Sequence, residues 1–189
     1  VPINSWGKAR DLLFAARDSD CKTVFCDHQR FELMASGLAE SNINAVVARA
    51  TTSFGSEMGQ CLESFIAGST ADAPIDSMVR TEDSAMIMYT SGTTGKPKGA
   101  VSTHRALCQA LMNIECTATA SAMANPTLVS QMLSKGFEPV QLLAVPLFHV
   151  SGLHAIFLAA LRAGRKIVMM YKWEPEVALK LVEEERITI

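Results

Sequence analysis

The 189 residues have no excess of either charge: 17 Lys and Arg stand against 19 Asp and Glu, a net −2. Such a balance gives no reason to expect nucleic acid or an anionic membrane as the main partner. Paired cysteines are lacking as well. Cys21, Cys26, Cys61, Cys108 and Cys116 are odd in number and irregularly spaced, with no CxxC and no Cys/His cluster at zinc-ligand spacing. They predict buried, reduced thiols and a cytoplasmic protein. The uncharged stretch 116–134 is mostly Ala, Ser, Thr, Asn and Met and is broken by Pro126. It is too polar to span a bilayer, so no transmembrane segment is expected. The opening VPINSW lacks an initiator Met and a basic-then-apolar leader. The closing EEERITI stops inside a strand-like stretch. Both ends predict a piece of a longer protein.

Three catalytic or nucleotide-binding signatures are also missing. GxGxxG occurs nowhere, which excludes the dinucleotide fingerprint. A Walker loop beginning at Gly92 would need glycine at 97, where Pro97 stands. A hydrolase elbow needs GxSxG, but around Ser151 the chain reads HVSGL. Asp27 ends a strand-like run, and without the fingerprint it reads as a solvated strand terminus.

Nearly half the residues are hydrophobic and 19% are charged, a globular composition. Short apolar runs alternate with segments of helical period. Trp6, Ala9, Leu13 and Ala16 share one helical face, with Asn4 or Ser5 placed to cap it. Strand-like KTVFCD (22–27) follows, then a helical stripe of Phe31, Met34, Ala35 and Leu38, then strand-like INAVVA (43–48). Met58, Cys61, Leu62 and Phe65 repeat the helical spacing up to Gly68. A polar connector, 69–84, leads to the strand AMIMYT. A helix from about Thr103 carries Leu107, Ala110, Leu111 and Ile114 inward, and 117–139 is a poorly periodic, helix-containing excursion. Beyond it lie a strand (141–148), an apolar helix (151–164) stopped by Gly164, a strand RKIVMM, and a helix with Pro175 in its first turn. This alternation predicts an α/β fold of mainly parallel sheets flanked by helices. The expected division is a first βα portion (1–68), the connector (69–84) and a portion bearing the chemistry (85–189).

That chemistry centres on YTSGTTGKPKG, 89–99, between an apolar strand and a helix. Ligands of such sheets bind beyond the carboxyl ends of the strands. Gly92, Gly95 and Gly99 permit positive φ and let backbone N–H groups approach an anion. Thr90, Ser91, Thr93 and Thr94 can each donate to a phosphate oxygen. Lys96 and Lys98 bring positive charge, and Pro97 stiffens the turn. Many donors, little bulk and cationic neutralisation suit a polyphosphate. A solvated Ser/Gly/Thr loop is the plainer reading of the composition alone; the position between strand and helix argues against it.

YTSGTTGKPKG resembles the signature phosphate loop of the AMP-forming acyl-CoA synthetases, the superfamily of acyl- and aryl-CoA ligases, luciferases and peptide-synthetase adenylation domains. VPLFHVSGL (145–153) resembles the next motif in that family, and the flanking stretches are similar along nearly the whole chain, least so in 117–139. The resemblance implies part of the large N-terminal AMP-binding domain of a ligase, without its C-terminal domain. It implies activation of a carboxylic acid by ATP with release of pyrophosphate, then transfer of the acyl group to coenzyme A. Thr90, Ser91, Gly92, Thr93, Thr94, Gly95 and, less firmly, Lys96 would hold the β- and γ-phosphates. Lys98 would neutralise the leaving group, and Thr90 would help place Mg²⁺. His149 would border the carboxylate, and Gly152 would keep the pocket wall thin. Phe148, Val150 and Leu153 read equally well as pocket lining or core; His154 reads as a packed helix residue and His104 as support for the loop. A fatty acid is the expected substrate, with an aromatic acid the alternative. A non-catalytic nucleotide-binding module is the rival class. The adenosine-binding motifs of the family are not found in these 189 residues, so the piece by itself is expected to be nearly inert. Its uncovered sheet edges are expected to favour self-association.

Overall fold

The structure is a computed structural model describing residues 1–50, 59–68, 78–90 and 97–189. The chain divides into two compact units, Val1–Val79 with Tyr89–Ala100, and Arg80–Met88 with Val101–Ile189.

In the first unit, α1 (Ala9–Asp18) leads to β1 (Thr23–Asp27), α2 (His28–Glu40) and β2 (Asn44–Ala48). The strands pair in parallel, Thr23 beside Asn44 through Asp27 beside Ala48. Parallel pairing needs a crossover connection, which α2 supplies. A short third strand, β3 (Gly59–Cys61), joins β2 in parallel before α3 (Leu62–Ala67). The expected helix near 58–65 thus begins only at Leu62, and Met58 lies outside the described residues. The core is Leu12 and Ala16 of α1, Val24, Ile43, Ala45 and Val47, and the α2 stripe of Phe31, Met34 and Leu38. Burying this many large apolar side chains, each worth about 1.5–3 kcal/mol, drives the unit's formation.

Two local expectations change. The buried face of α1 is Leu12, Ala15 and Ala16, while Trp6 precedes the helix and is 73% exposed. Lys8 occupies the N-cap position without a side-chain bond, and Asn4 instead accepts the Trp6 N–H within a turn. Asp27 is not a solvated terminus. Its carboxylate caps α2 by accepting the Arg30 N–H at 2.9 Å, and it pairs with the guanidinium groups of Arg30 and Arg49 at 3.1 and 3.5 Å. A carboxylate there also meets the positive end of the helix dipole.

β4 (Ser84–Thr90) and β5 (Lys98–Thr103) form a two-stranded sheet. β5 was not expected: KGAVST has few large apolar residues, and its strand character comes from its neighbour.

In the second unit, Thr103 caps α4 (His104–Ala124) by accepting the Ala106 N–H, and the Arg105 guanidinium pairs with Glu82. The stripe of Leu107, Ala110, Leu111 and Ile114 is half-buried, as its spacing predicts. The excursion is helical as far as Ser134, apart from Asn125, because α4 runs to Ala124 and α5 (Pro126–Ser134) follows. β6 (Val140–Leu143) pairs in parallel with β7 (Lys166–Met169). The backbone of Ile189 exchanges hydrogen bonds with Val140 and Leu142, so the closing ITI does begin to add beside β6. Between β6 and β7 the chain forms a π-helical segment (Ser151–Leu158) that continues into α6 (Ala159–Arg162). Gly164, at φ 64°, ends it in the left-handed region that glycine tolerates. α7 (Pro175–Glu184) starts with proline in its first turn.

Candidate nucleotide and acyl site

At the end of the β4–β5 pair, Thr90 and Lys98 lie on adjacent strands. The Thr90 hydroxyl faces the Lys98 carbonyl at 3.5 Å, the outer limit of a hydrogen bond. Both residues are exposed. The strand pair thus brings together the two ends of the motif, with a hydroxyl on one side and an ammonium-bearing residue on the other. Ser91, Gly92, Thr93, Thr94, Gly95 and Lys96 lie outside the described residues.

Tyr89, which the sequence reading did not single out, is tied to α1. Its hydroxyl donates to the Asp18 carboxylate at 2.7 Å and lies 3.3 Å from the Ala15 carbonyl. Its ring meets Phe14 edge-on, with centroids 6.3 Å apart. Burial and the hydrogen bond to the Asp18 carboxylate push the phenol up to about 12. It therefore remains a donor throughout the physiological range. No local pattern in the sequence reveals this contact, which spans 71 positions.

The second candidate stretch belongs to the other unit. The expected strand 141–148 ends at Leu143, and the chain turns at Val145–Phe148, where the His149 N–H bonds the Pro146 carbonyl at 3.1 Å. His149 and Val150 are exposed, Phe148 and Leu153 half-buried. The Phe148 and His149 rings sit 4.6 Å apart, tilted by 52°. Gly152 is buried, and a Cβ there would stand 2.4 Å from the Pro146 carbonyl oxygen and 2.6 Å from that of Val145. The position admits only glycine because backbone, which cannot give way, occupies the space. This close approach seats the π-helical segment directly after His149. Such segments are rare and recur at functional sites.

His154 is buried on the same segment, and its Nδ1 has no hydrogen-bond partner among the described residues; nor has the Oε1 of buried Gln141. His154 is thus packed, as expected. The first residue of α4, His104, is anchored through its backbone N–H to the Asp83 carbonyl.

All five cysteines are free, but none is fully buried: Cys108 and Cys116 are exposed on α4, and the others are half-buried. Burial still pushes the Cys26 thiol up to about 11, with Asp27 adding to it, and raises that of Cys21. Among the described residues no group of three or more His, Cys, Asp or Glu could hold a metal, and no helix is long and apolar enough to cross a membrane.

Comparison with known proteins bears on what this arrangement belongs to. The chain is 39% identical over 124 residues to 4-coumarate–CoA ligase 3 of Oryza sativa subsp. japonica, a match covering 66% of this chain and 20% of that protein. It is 34% identical over 118 residues to a feruloyl-CoA synthase of an Amycolatopsis species, covering 62% and 21%. In structure it matches ATP-bound MatB from Rhodopseudomonas palustris at a TM-score of 0.68 and 25% identity, over 97% of this chain and 32% of that one. The matched stretch is thus about a fifth of the length of these two curated relatives. The family model described as AMP-binding enzyme matches residues 1–189 from end to end. The chain belongs to the AMP-binding enzyme family.

Proposed function

We propose that these residues form the phosphate-binding part and one acyl-pocket wall of an AMP-forming CoA ligase acting on an aromatic carboxylic acid. The reading is carried by the exposed end of the β4–β5 pair, where Thr90 and Lys98 meet in a chain that matches the family throughout. The preference for an aromatic acid over a fatty one comes from the relatives, which include a 4-coumarate–CoA ligase and a feruloyl-CoA synthase.

In the first half-reaction a carboxylate oxygen attacks the α-phosphorus of ATP, and the bond to the β-phosphate oxygen breaks. In the second, the coenzyme A sulfur takes the acyl carbon and AMP departs. The difficulty of the first step is charge, since a weak nucleophile must displace a polyanion. Lys98 supplies fixed positive charge beside the leaving pyrophosphate, and Thr90, with the hydroxyls and amides of 91–96, donates to its oxygens. Thr90 offers one neutral oxygen, which suits Mg²⁺ held mainly by phosphates and water. When bound, the ion would offset phosphate charge. His149, exposed at the head of the π-helical segment, orients the substrate carboxylate. Gly152 keeps the wall behind it within backbone contact. The five free thiols support a reducing, cytoplasmic setting.

The test offers the protein carrying this chain MgATP, coenzyme A and a panel of aromatic and fatty carboxylates, and measures pyrophosphate release and acyl-CoA. Aromatic acids are expected to turn over best, with the 189-residue piece alone far slower. MgATP binding without exchange for any carboxylate would mean a non-catalytic nucleotide-binding module.

A further inference from the structure

We propose that Tyr89 is a positioning residue for the phosphate-binding end of β4, acting through its hydroxyl's hydrogen bond to the Asp18 carboxylate at the end of α1. The assignment rests on the proposed function, and its subject is how Thr90 is held.

Asp18 is the last residue of α1, where the carbonyl ends of the helix give a negative field that disfavours a carboxylate. The basic residue of that turn, Arg17, points elsewhere and bonds Ser41, the Gly37 carbonyl and Glu40 on α2. Tyr89 supplies the missing donor. The phenol reaches Asp18 at 2.7 Å and lies 3.3 Å from the Ala15 carbonyl, which already accepts from the N–H and the hydroxyl of Ser19. Its ring edge is braced by Phe14. These contacts all belong to the α1 scaffold, whose Leu12, Ala15 and Ala16 are buried. The next residue along the chain is Thr90. One covalent step therefore separates the tether from the hydroxyl that faces Lys98. A phenol bound to a carboxylate is a charge-assisted bond, stronger and more directional than a neutral one. The rigid part of the first unit thereby sets where β4 stops and where the donor at its tip is presented.

The test compares wild type with Tyr89→Phe, Asp18→Ala, Asp18→Asn and the Tyr89→Phe/Asp18→Ala double variant. The readouts are amide hydrogen exchange over residues 86–90, MgATP affinity by calorimetry at 25 °C, and thermal melting. Tyr89→Phe and Asp18→Ala are each expected to raise exchange about five- to tenfold, the scale of one lost hydrogen bond. Each is expected to weaken MgATP about three- to tenfold. Asp18→Asn, whose amide oxygen still accepts, recovers most of both. The double variant is no worse than either single one, because they remove one shared bond. A bond that merely stabilises would lower the melting temperature and leave affinity measured well below it unmoved. Unchanged exchange in Tyr89→Phe, or losses that add in the double variant, would overturn the assignment. If wild type binds MgATP and Tyr89→Phe binds it equally, the assignment fails and the function stands. If the wild type binds no MgATP, the proposed function fails first and takes this assignment with it.

Discussion

The first unit's α1–β1–α2–β2 core and the second unit's α4–α5 stretch use the same helical period to opposite ends. In the first, Ala16 and Val47 are sealed completely and Leu38 is 1% exposed. In the second, thirty helical residues, 21 in α4 and nine in α5, include none that is buried. Leu128 and Leu133 of α5 are 58% and 69% exposed. The first is held by packing. The second is held by helix propensity, by one half-buried stripe and by an ion pair from Glu115 to Arg162 at 2.6 Å. Apolar spacing reports the helices of the first and only the opening of α4 in the second, and burial is what makes a position costly to change.

The sharpest break of that comparison is Leu38→Ala. It should cost about 3 kcal/mol, because the sealed core cannot collapse onto the cavity, read as a lower urea midpoint. Gly152→Ala should come next at about 2 kcal/mol, since the new methyl meets backbone and not a movable side chain. That cost would show that the second unit also has one place as unyielding as the first unit's core. Lys98→Ala should leave stability nearly untouched, because the side chain is exposed. It should slow adenylation in the protein carrying this chain by ~2–3 kcal/mol of barrier. Thioester formation from preformed acyl-adenylate should suffer much less; equal losses in both half-reactions would assign the lysine to the fold. Leu133→Ala should change stability by less than about 0.5 kcal/mol, and a larger loss would mean that α5 is covered in solution. The smallest effect is in alkali. The folded phenol of Tyr89 holds its proton up to about 12, above the usual value near 10. The stability it lends is therefore complete below pH 10 and lost as pH rises through 12. Urea midpoints between pH 9 and 12 should fall less steeply in Tyr89→Phe than in wild type.

Where periodicity and burial coincide, the sequence was a reliable guide. Phe31, Met34 and Leu38 on α2, and the strands at Thr23–Asp27 and Asn44–Ala48, lie as their spacing suggests. Legibility fails for three physical reasons. Past the half-buried stripe that ends at Ile114, α4 and α5 have no fully buried residue, so no apolar rhythm marks their extent. β5 owes its extended form to β4, a partner that its own small residues do not announce. The helix after His149 lies where it was expected, but its π winding was not, because a stretch so uniformly apolar carries no rhythm that distinguishes the wider turn. Thr90 and Lys98 could be nominated from the sequence because the proposed chemistry resides in residue type and order. The Tyr89–Asp18 bond was not, because nothing local links a strand tip to a helix end 71 positions away.

Since β4 and β5 pair with Thr90 beside Lys98, the separation that any intervening residues must close is fixed by the strands. Doubling the number of intervening residues would add only about 0.6 kcal/mol of closure cost. Glycine–serine insertions after Thr90 are then expected to leave the protein folded and, on the proposed function, to abolish MgATP binding, which would make such a variant a reference for every nucleotide-dependent signal.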